Sequence, residues 1–227
     1  MQRFFDIFFS GIALILLSPL LLTLIFVLRV TGEGEIFFPQ DRIGFGGKKF
    51  KLYKFATMLK DSPSMGTGTV TVKNDPRILP IGSFLRKTKI NELPQLINIF
   101  IGDMSVIGPR PQTKRCFDAF PESIQHDIVK VRPGLSGIGS VIFRSEEEMM
   151  SENNDPDRFY DDVIMPYKGK LECWYVQNKS IGNYFLLITI TVIVILTRST
   201  ALIFRCYPSL PRPPKDLKSF ILSDYYE

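Results

Sequence analysis

The sequence predicts a compact α/β domain associated with a membrane through its N-terminal segment. Three observations predict it. They are a charge-free run from Ile7 to Leu28, short strand patterns at Ile36–Pro39 and Phe50–Phe55, and apolar residues at helical spacing, Leu93, Leu96, Ile97 and Phe100.

The run from Ile7 to Leu28 is about as long as a helix needs to cross a bilayer. Arg3 and Asp6 precede it and Arg29 follows. A cleaved signal peptide has a shorter apolar core, more positive charge in front and a small-residue cleavage site behind, and none of these is present. Ser18-Pro19 interrupts the run, where proline removes a backbone donor and bends a helix while a serine hydroxyl can satisfy the freed carbonyl. Two geometries stay open on these residues: a kinked spanning helix, or a helix-break-helix that dips into one leaflet and returns. Residues 29–60 hold seven Lys/Arg against three acids, which points that flank toward the cytoplasm.

The soluble region runs from about Glu33 to Asn178, giving a division into 1–30, 31–178 and 179–227. In the second strand pattern Phe50, Leu52 and Tyr53 are interleaved with Lys51 and Lys54. Ser62 to Thr71, rich in Gly, Ser and Thr, reads as a mobile loop. Asn91 is placed to cap the helix carrying Leu93 to Phe100, with Pro94 in its first turn. Ser145-Glu-Glu-Glu148 matches a capping box that opens another helix, its acids a solvated helix start, before Asn154-Asp-Pro156 interrupts. A second uncharged stretch, Ser180 to Thr197, is a strand or helix lying in the core or at the membrane, with Trp174, Tyr175 and Tyr184 favouring an interfacial position. The Pro-rich tail from Pro208 to Pro214 reads as a surface extension.

A net charge of +5 suits an anionic partner: nucleic acid, acidic lipid or a phosphorylated substrate. No aromatic–basic RNA motif, zinc module or helix-turn-helix spacing supports nucleic acid. Cys116, Cys173 and Cys206 are too far apart for a zinc site and odd in number for a disulfide framework. The single histidine, His126, lies in a polar stretch without a nucleophile partner and reads as a surface residue. Chemistry concentrates elsewhere. Arg86, Lys87 and Lys89 precede Asn91-Glu92, and Gly108-Pro-Arg-Pro111 and Arg132-Pro-Gly134 each restrict the backbone beside an arginine. Rigid guanidinium forks match phosphate oxygens, while the plainer alternative is a pair of turns with solvated arginines.

Together these segments resemble the monotopic bacterial sugar transferases, the polyprenyl-phosphate phosphoglycosyl transferases that start glycoconjugate assembly. The matching stretches are Gln2-Arg-Phe-Phe-Asp6, Phe38-Pro-Gln-Asp-Arg-Ile-Gly44, Tyr53-Lys-Phe-Ala-Thr-Met58 and Asp75-Pro-Arg-Ile78. They continue with Ile81-Gly-Ser-Phe-Leu-Arg86, Asn91-Glu-Leu-Pro-Gln-Leu96, Gly102-Asp-Met-Ser-Val-Ile-Gly-Pro-Arg-Pro111 and Val131-Arg-Pro-Gly-Leu-Ser-Gly137, in the family's order over nearly the whole chain. The resemblance implies a re-entrant membrane hairpin broken at Ser18 and Pro19, both ends in the cytoplasm, and helices lying at the interface of the bacterial inner membrane. It implies Mg²⁺-dependent ping-pong transfer of a sugar phosphate from a UDP-sugar to polyprenyl (undecaprenyl) phosphate. Membrane lipids, downstream glycosyltransferases and a second copy of the chain are the further partners implied.

In that family an aspartate attacks the β-phosphate, whereas its Asp-Glu pair falls on Asn91-Glu92 here. Either Glu92 takes over as nucleophile, or the chain is a silent carrier-lipid-binding or scaffolding member, or the asparagine is an introduced change. By the resemblance, Asn91 holds the nucleophile position and Glu92 binds the metal. Lys54, Arg86 and Arg110 are assigned to substrate phosphates, with Arg132 and Arg144 as weaker assignments. Asp103 shapes the turn after Gly102 rather than binding metal. Ile138 to Arg144 replaces a usual Trp and Gln, and Glu172 and Asn183 stand where aspartates are usual.

Overall fold

A computed structural model describes residues 1–65, 75–144, 146–151, 155–197 and 199–222. The loop residues 66–71, Ser145 of the expected capping box and Asn154 lie outside the described residues. The chain opens with helix α1 (Gln2–Val30), followed by strands β1 (Phe37–Ile43) and β2 (Lys49–Phe55). Next come α2 (Pro80–Lys87), α3 (Gln95–Ile101), β3 (Ser105–Ile107), α4 (Lys114–Asp118), α5 (Glu122–Ile128) and β4 (Gly134–Ser136). The C-terminal part is helical: α6 (Ile138–Ile142), α7 (Glu146–Ser151), α8 (Pro156–Phe159), a π turn (Tyr160–Ile164), α9 (Met165–Gln177), α10 (Ile181–Thr197), α11 (Ala201–Cys206) and α12 (Lys215–Ile221).

The fold is mixed α/β, as the pattern indicates. β1 and β2 form an antiparallel hairpin in which Phe38 faces Lys54. Its turn needs Gly46 and Gly47, both at positive φ (65° and 73°), which other residues adopt at a cost. β3 and β4 pair in parallel, Ser105 with Gly134 and Ile107 with Ser136. Ser180 to Thr197 resolves as helix α10, because its apolar face, Tyr184, Leu187, Ile190 and Val194, recurs at three and four residues and is buried.

Helix α1 runs as one element from Gln2 to Val30, with Pro19 inside it. Pro19 has no N–H to give the carbonyl of Ile15, and the Ser18 hydroxyl donates to that oxygen instead at 2.7 Å. The helix lies along the domain for its whole length. Near its start Gln2 donates to Ser105 and Ile107, and Asp6 accepts from Ser105 Oγ (2.9 Å), Val106 N (2.9 Å) and Tyr184 OH (3.0 Å). Its middle packs Leu14 and Leu17 with Leu52, Leu96 and Ile99, and its end packs Leu24 and Leu28 with Phe55 and Leu85. Its other face is apolar and exposed at Phe8, Ile12, Ile15, Leu16, Leu22 and Phe26. Among the described residues it is the one helix long and apolar enough to cross a membrane, by length and composition.

Two tail expectations change. Leu210, Leu217, Ile221 and Leu222 are buried in the main core with α9 and α10, so the segment after Cys206 is packed rather than a surface extension. The helix begun at Glu146 is more than a solvated start, because Glu146 accepts from the buried Lys168 Nζ at 2.8 and 3.0 Å. His126 is exposed, and the three cysteines are free.

Candidate active site

The site forms where the β1–β2 hairpin, the 3₁₀ turn Ile90–Glu92 and the Pro109-Arg110-Pro111 segment meet. Asn91 does not cap α3: it lies within the 3₁₀ turn, and α3 begins at Gln95 with Pro94 before it. Near the start of α3 backbone carbonyls stand in for a side-chain cap, Leu96 N donating to Leu93 O and Ile97 N to Pro94 O, both at 3.0 Å. The turn is entered through Lys89 at φ 59°, and Ile90 packs against the apolar cluster of Leu24 and Leu28 from α1, Phe55 and Leu85. Glu92 is thus held two residues from that cluster.

The Glu92 carboxylate is the hub. Its Oε1 accepts from Lys54 Nζ at 3.4 Å and Arg110 Nη2 at 3.2 Å. Burial alone would raise this carboxyl, but Arg110, Lys54 and Lys89 outweigh it and hold it well below the usual carboxylate range. Lys54 is pushed down to about 8, chiefly by burial, with Arg110 and Arg42 adding repulsion against the pull of Glu92. Arg42 is lowered to about 10 by burial and by Arg110. Three cations therefore gather around the Glu92 carboxylate, with Glu146 also acting on Arg110.

Behind Arg110 stands a second acid. Glu172 of α9 is 1% exposed, and its Oε1 accepts the Arg110 backbone N–H at 3.3 Å. Its Oε2 is buried without a hydrogen-bond partner. Burial raises this carboxyl to about 7, against the pull of the Arg110 N–H, Lys168 and Arg110. α6 packs directly on it, since a Cβ at Gly139 would lie 2.3 Å from Oε1.

Lys54, Glu92 and Arg110 are brought together as the motifs indicate. The other assigned cations are engaged elsewhere: Arg132 Nε donates to the Gly102 carbonyl at 2.8 Å, and Arg144 donates to the carbonyl of Val194 in α10. Arg86 sits on the last turn of α2, outside the hydrogen-bonded cluster at Glu92. Sequence reasoning passed over Arg42, although it stands inside the matching Phe38–Gly44 stretch, and noted Glu172 only as a departure. An acid amid the aromatic residues of α9 was the available signal for the latter.

No group of three His, Cys, Asp or Glu able to hold a metal occurs among the described residues. Asn91 Oδ1, buried and without a partner, and the Glu92 carboxylate nonetheless supply two hard oxygen donors. That set fits Mg²⁺, which takes most of its ligands from water and substrate phosphates.

Fold and site define an α/β domain carrying a membrane-length apolar helix and a cluster of cations around one carboxylate, a group suited to a phosphorylated ligand. The chain belongs to the bacterial sugar transferase family, whose model matches residues 1–198. It is 35% identical over 207 residues to the exopolysaccharide production protein PSS of Rhizobium leguminosarum bv. phaseoli, covering 87% of this chain and 96% of that one. It is 33% identical to an uncharacterized sugar transferase of Haemophilus influenzae over 88% of this chain. It is 32% identical to the UDP-N-acetylgalactosamine-undecaprenyl-phosphate N-acetylgalactosaminephosphotransferase of Aeromonas hydrophila over 86% of this chain. The chain spans 42% and 44% of the length of the latter two relatives.

Proposed function

We propose that this protein transfers a sugar 1-phosphate from a UDP-sugar to polyprenyl (undecaprenyl) phosphate, the first membrane step of glycoconjugate assembly. The observation that carries it is the Glu92 carboxylate held by Lys54 and Arg110 at the foot of the apolar helix. One substrate is aqueous and doubly charged, and the other is a phosphate on a long lipid. A cationic pocket against an apolar helix suits both.

In this reading Lys54 and Arg110 orient the diphosphate and draw charge from its oxygens. Glu92, ionised throughout the physiological range, is the attacking carboxylate. Its oxygen forms a bond to the β-phosphorus while the bond to the UMP oxygen breaks, and UMP leaves with the electron pair. An oxygen of the carrier phosphate then attacks the same phosphorus and releases the carboxylate. Asn91 takes no role as nucleophile, because its amide has no anionic oxygen. With Glu92 it offers the oxygens for a magnesium ion, which when bound neutralises phosphate charge.

The anchor enters from one side in this reading. Both ends of α1 are tied to the same domain, at Gln2 and Asp6 and again at Leu24, Leu28 and Arg29, where Arg29 donates to the Gly34 carbonyl. A spanning helix would separate its far end from the domain by the full bilayer thickness. The catalytic face is cytoplasmic, where later glycosyltransferases extend the product.

The test is UMP release from a panel of UDP-sugars with Mg²⁺ and polyprenyl phosphate, run with the protein, Asn91→Asp and Glu92→Ala. Turnover lost in Glu92→Ala, with a sugar phosphate trapped on Glu92 by mass spectrometry, supports this chemistry. Turnover that appears only in Asn91→Asp overturns Glu92 as nucleophile. Silence in all three favours the second reading that Asn91 motivates, a carrier-lipid-binding or scaffolding protein.

A further inference from the structure

Around Glu92 the charges do not balance. Lys54 and Arg110 both hydrogen-bond its Oε1, and Arg42 stands close enough to act electrostatically on Lys54, Arg110 and Glu92. Among the described residues the guanidinium of Arg42 has no carboxylate as a hydrogen-bond partner. Nη1 donates to the Pro111 carbonyl at 3.1 Å and Nη2 to Gln40 Oε1 at 2.6 Å, both neutral acceptors. Its Nε is buried and has no partner. A desolvated guanidinium beside a second arginine, clamped by neutral groups and with one donor unspent, is costly to maintain. An anion bound between the two arginines removes that cost. The clamp also has a directional consequence. Gln40 lies two residues from Arg42 on β1, and Pro111 follows Arg110 directly, so Arg42 and Arg110 are tied to a common piece of backbone. Their relative placement is therefore set by the fold, and the positive charge left over once Glu92 is counted is matched better by a diphosphate than by a single phosphate.

We propose that Arg42 is a substrate-binding residue, the third cation of a diphosphate subsite completed by Lys54 and Arg110. This rests on the transferase reading of the site, and it assigns the site a preference for diphosphate over monophosphate. Lys54 and Arg110 are already drawn on by Glu92, so Arg42 is the cation with most to give an incoming phosphate. Its unspent Nε–H is buried, so a bound phosphate oxygen takes it up once the side chain turns that edge toward the ligand.

The experiment measures equilibrium binding of inorganic pyrophosphate and inorganic phosphate by titration calorimetry. It uses the full chain in lipid nanodiscs, as given and as Arg42→Gln and Arg42→Lys, with circular dichroism to establish folding. The protein as given binds pyrophosphate more tightly than phosphate. Arg42→Gln weakens pyrophosphate roughly tenfold to a hundredfold, the loss of one or two charge-assisted hydrogen bonds. Arg42→Lys recovers some of that loss, since it restores charge without the fork. Unchanged pyrophosphate affinity in folded Arg42→Gln overturns the proposal. Where that variant does not fold, ¹⁵N-arginine labelling of the protein as given decides. A pyrophosphate-induced shift of the Arg42 Nε–H resonance supports the subsite, and no shift overturns it. The two readings also fail separately. Pyrophosphate binding that depends on Arg42 in a protein inert toward every UDP-sugar leaves the subsite standing and removes the transferase. An active Arg42→Gln with unchanged KM for the UDP-sugar does the reverse.

Discussion

Glu172 makes the protein's stability depend on pH in a direction that one substitution exposes. Its carboxyl is raised from its ordinary 4.5 to about 7, chiefly by burial, and the charged groups facing it are Lys168 on its own helix and Arg110 across from it. Below pH 4.5 folded and unfolded chains both carry the proton and the group costs nothing. As pH rises toward 7 the unfolded chain releases the proton while the folded one keeps it, so stability falls. Above 7 the loss is complete, at about 3 kcal/mol from the difference between the two values. Glu172→Gln cannot ionise. Its amide oxygen can keep the Arg110 N–H bond, and its NH₂ falls at the unpartnered Oε2 position, where an unsatisfied donor costs about 1–3 kcal/mol at every pH. The variant is therefore no more stable than the parent at pH 5, and gains on it by about 2.5 kcal/mol between pH 5 and 8. Urea unfolding in mild detergent at pH 5, 6, 7 and 8 measures this. A difference between parent and variant that stays constant across the range refutes the reasoning.

Three further outcomes follow from the packing. Lys54 titrates near 8 in the free protein, and a bound phosphate raises it, so pyrophosphate binding takes up a proton around that pH and weakens as pH rises above it; calorimetry in buffers of different ionisation enthalpy reads the proton directly. Gly82→Ala places a Cβ 2.2 Å from the Thr57 carbonyl oxygen, and this backbone clash, about 1–3 kcal/mol or more, outweighs the ~1 kcal/mol that alanine gains in helix propensity, so the thermal midpoint falls. Asp6→Ala removes the one oxygen to which Ser105, Val106 and Tyr184 all donate and loses about 2–4 kcal/mol, seen as faster proteolysis at the start of α1; unchanged protease resistance refutes the anchoring role.

The legible elements of this fold were those with local chemical causes. The hairpin strands announced themselves through Phe50, Leu52 and Tyr53, and the anchor through its missing charges. The Ser18 compensation for Pro19 was foreseeable because the freed carbonyl and the hydroxyl lie three residues apart. What stayed hidden depends on contacts distant in sequence. Asp6 reads as a flanking charge until Tyr184, 178 residues away, turns out to donate to it. Glu146 reads as a helix-start acid until the buried Lys168 is placed against it. Asn91 looked like a helix cap because asparagine before an apolar run usually is one. The left-handed Lys89 instead sends the chain through a 3₁₀ turn whose main task is presenting Glu92.

That turn explains why the anchor and the chemistry cannot be separated in this molecule. Ile90 and Phe55 pack into the same apolar cluster as Leu24 and Leu28 of α1, and each stands within two residues of a charged site group, Glu92 and Lys54. The helix supplies one wall of the cluster, so the spacing between the carboxylate and the lysine is set partly by how α1 seats. A movement of α1 therefore acts on the 3.4 Å Lys54–Glu92 contact through the buried Phe55 and the partly buried Ile90. On the transferase reading proposed above, lipid that seats α1 sets the geometry met by the polyprenyl substrate.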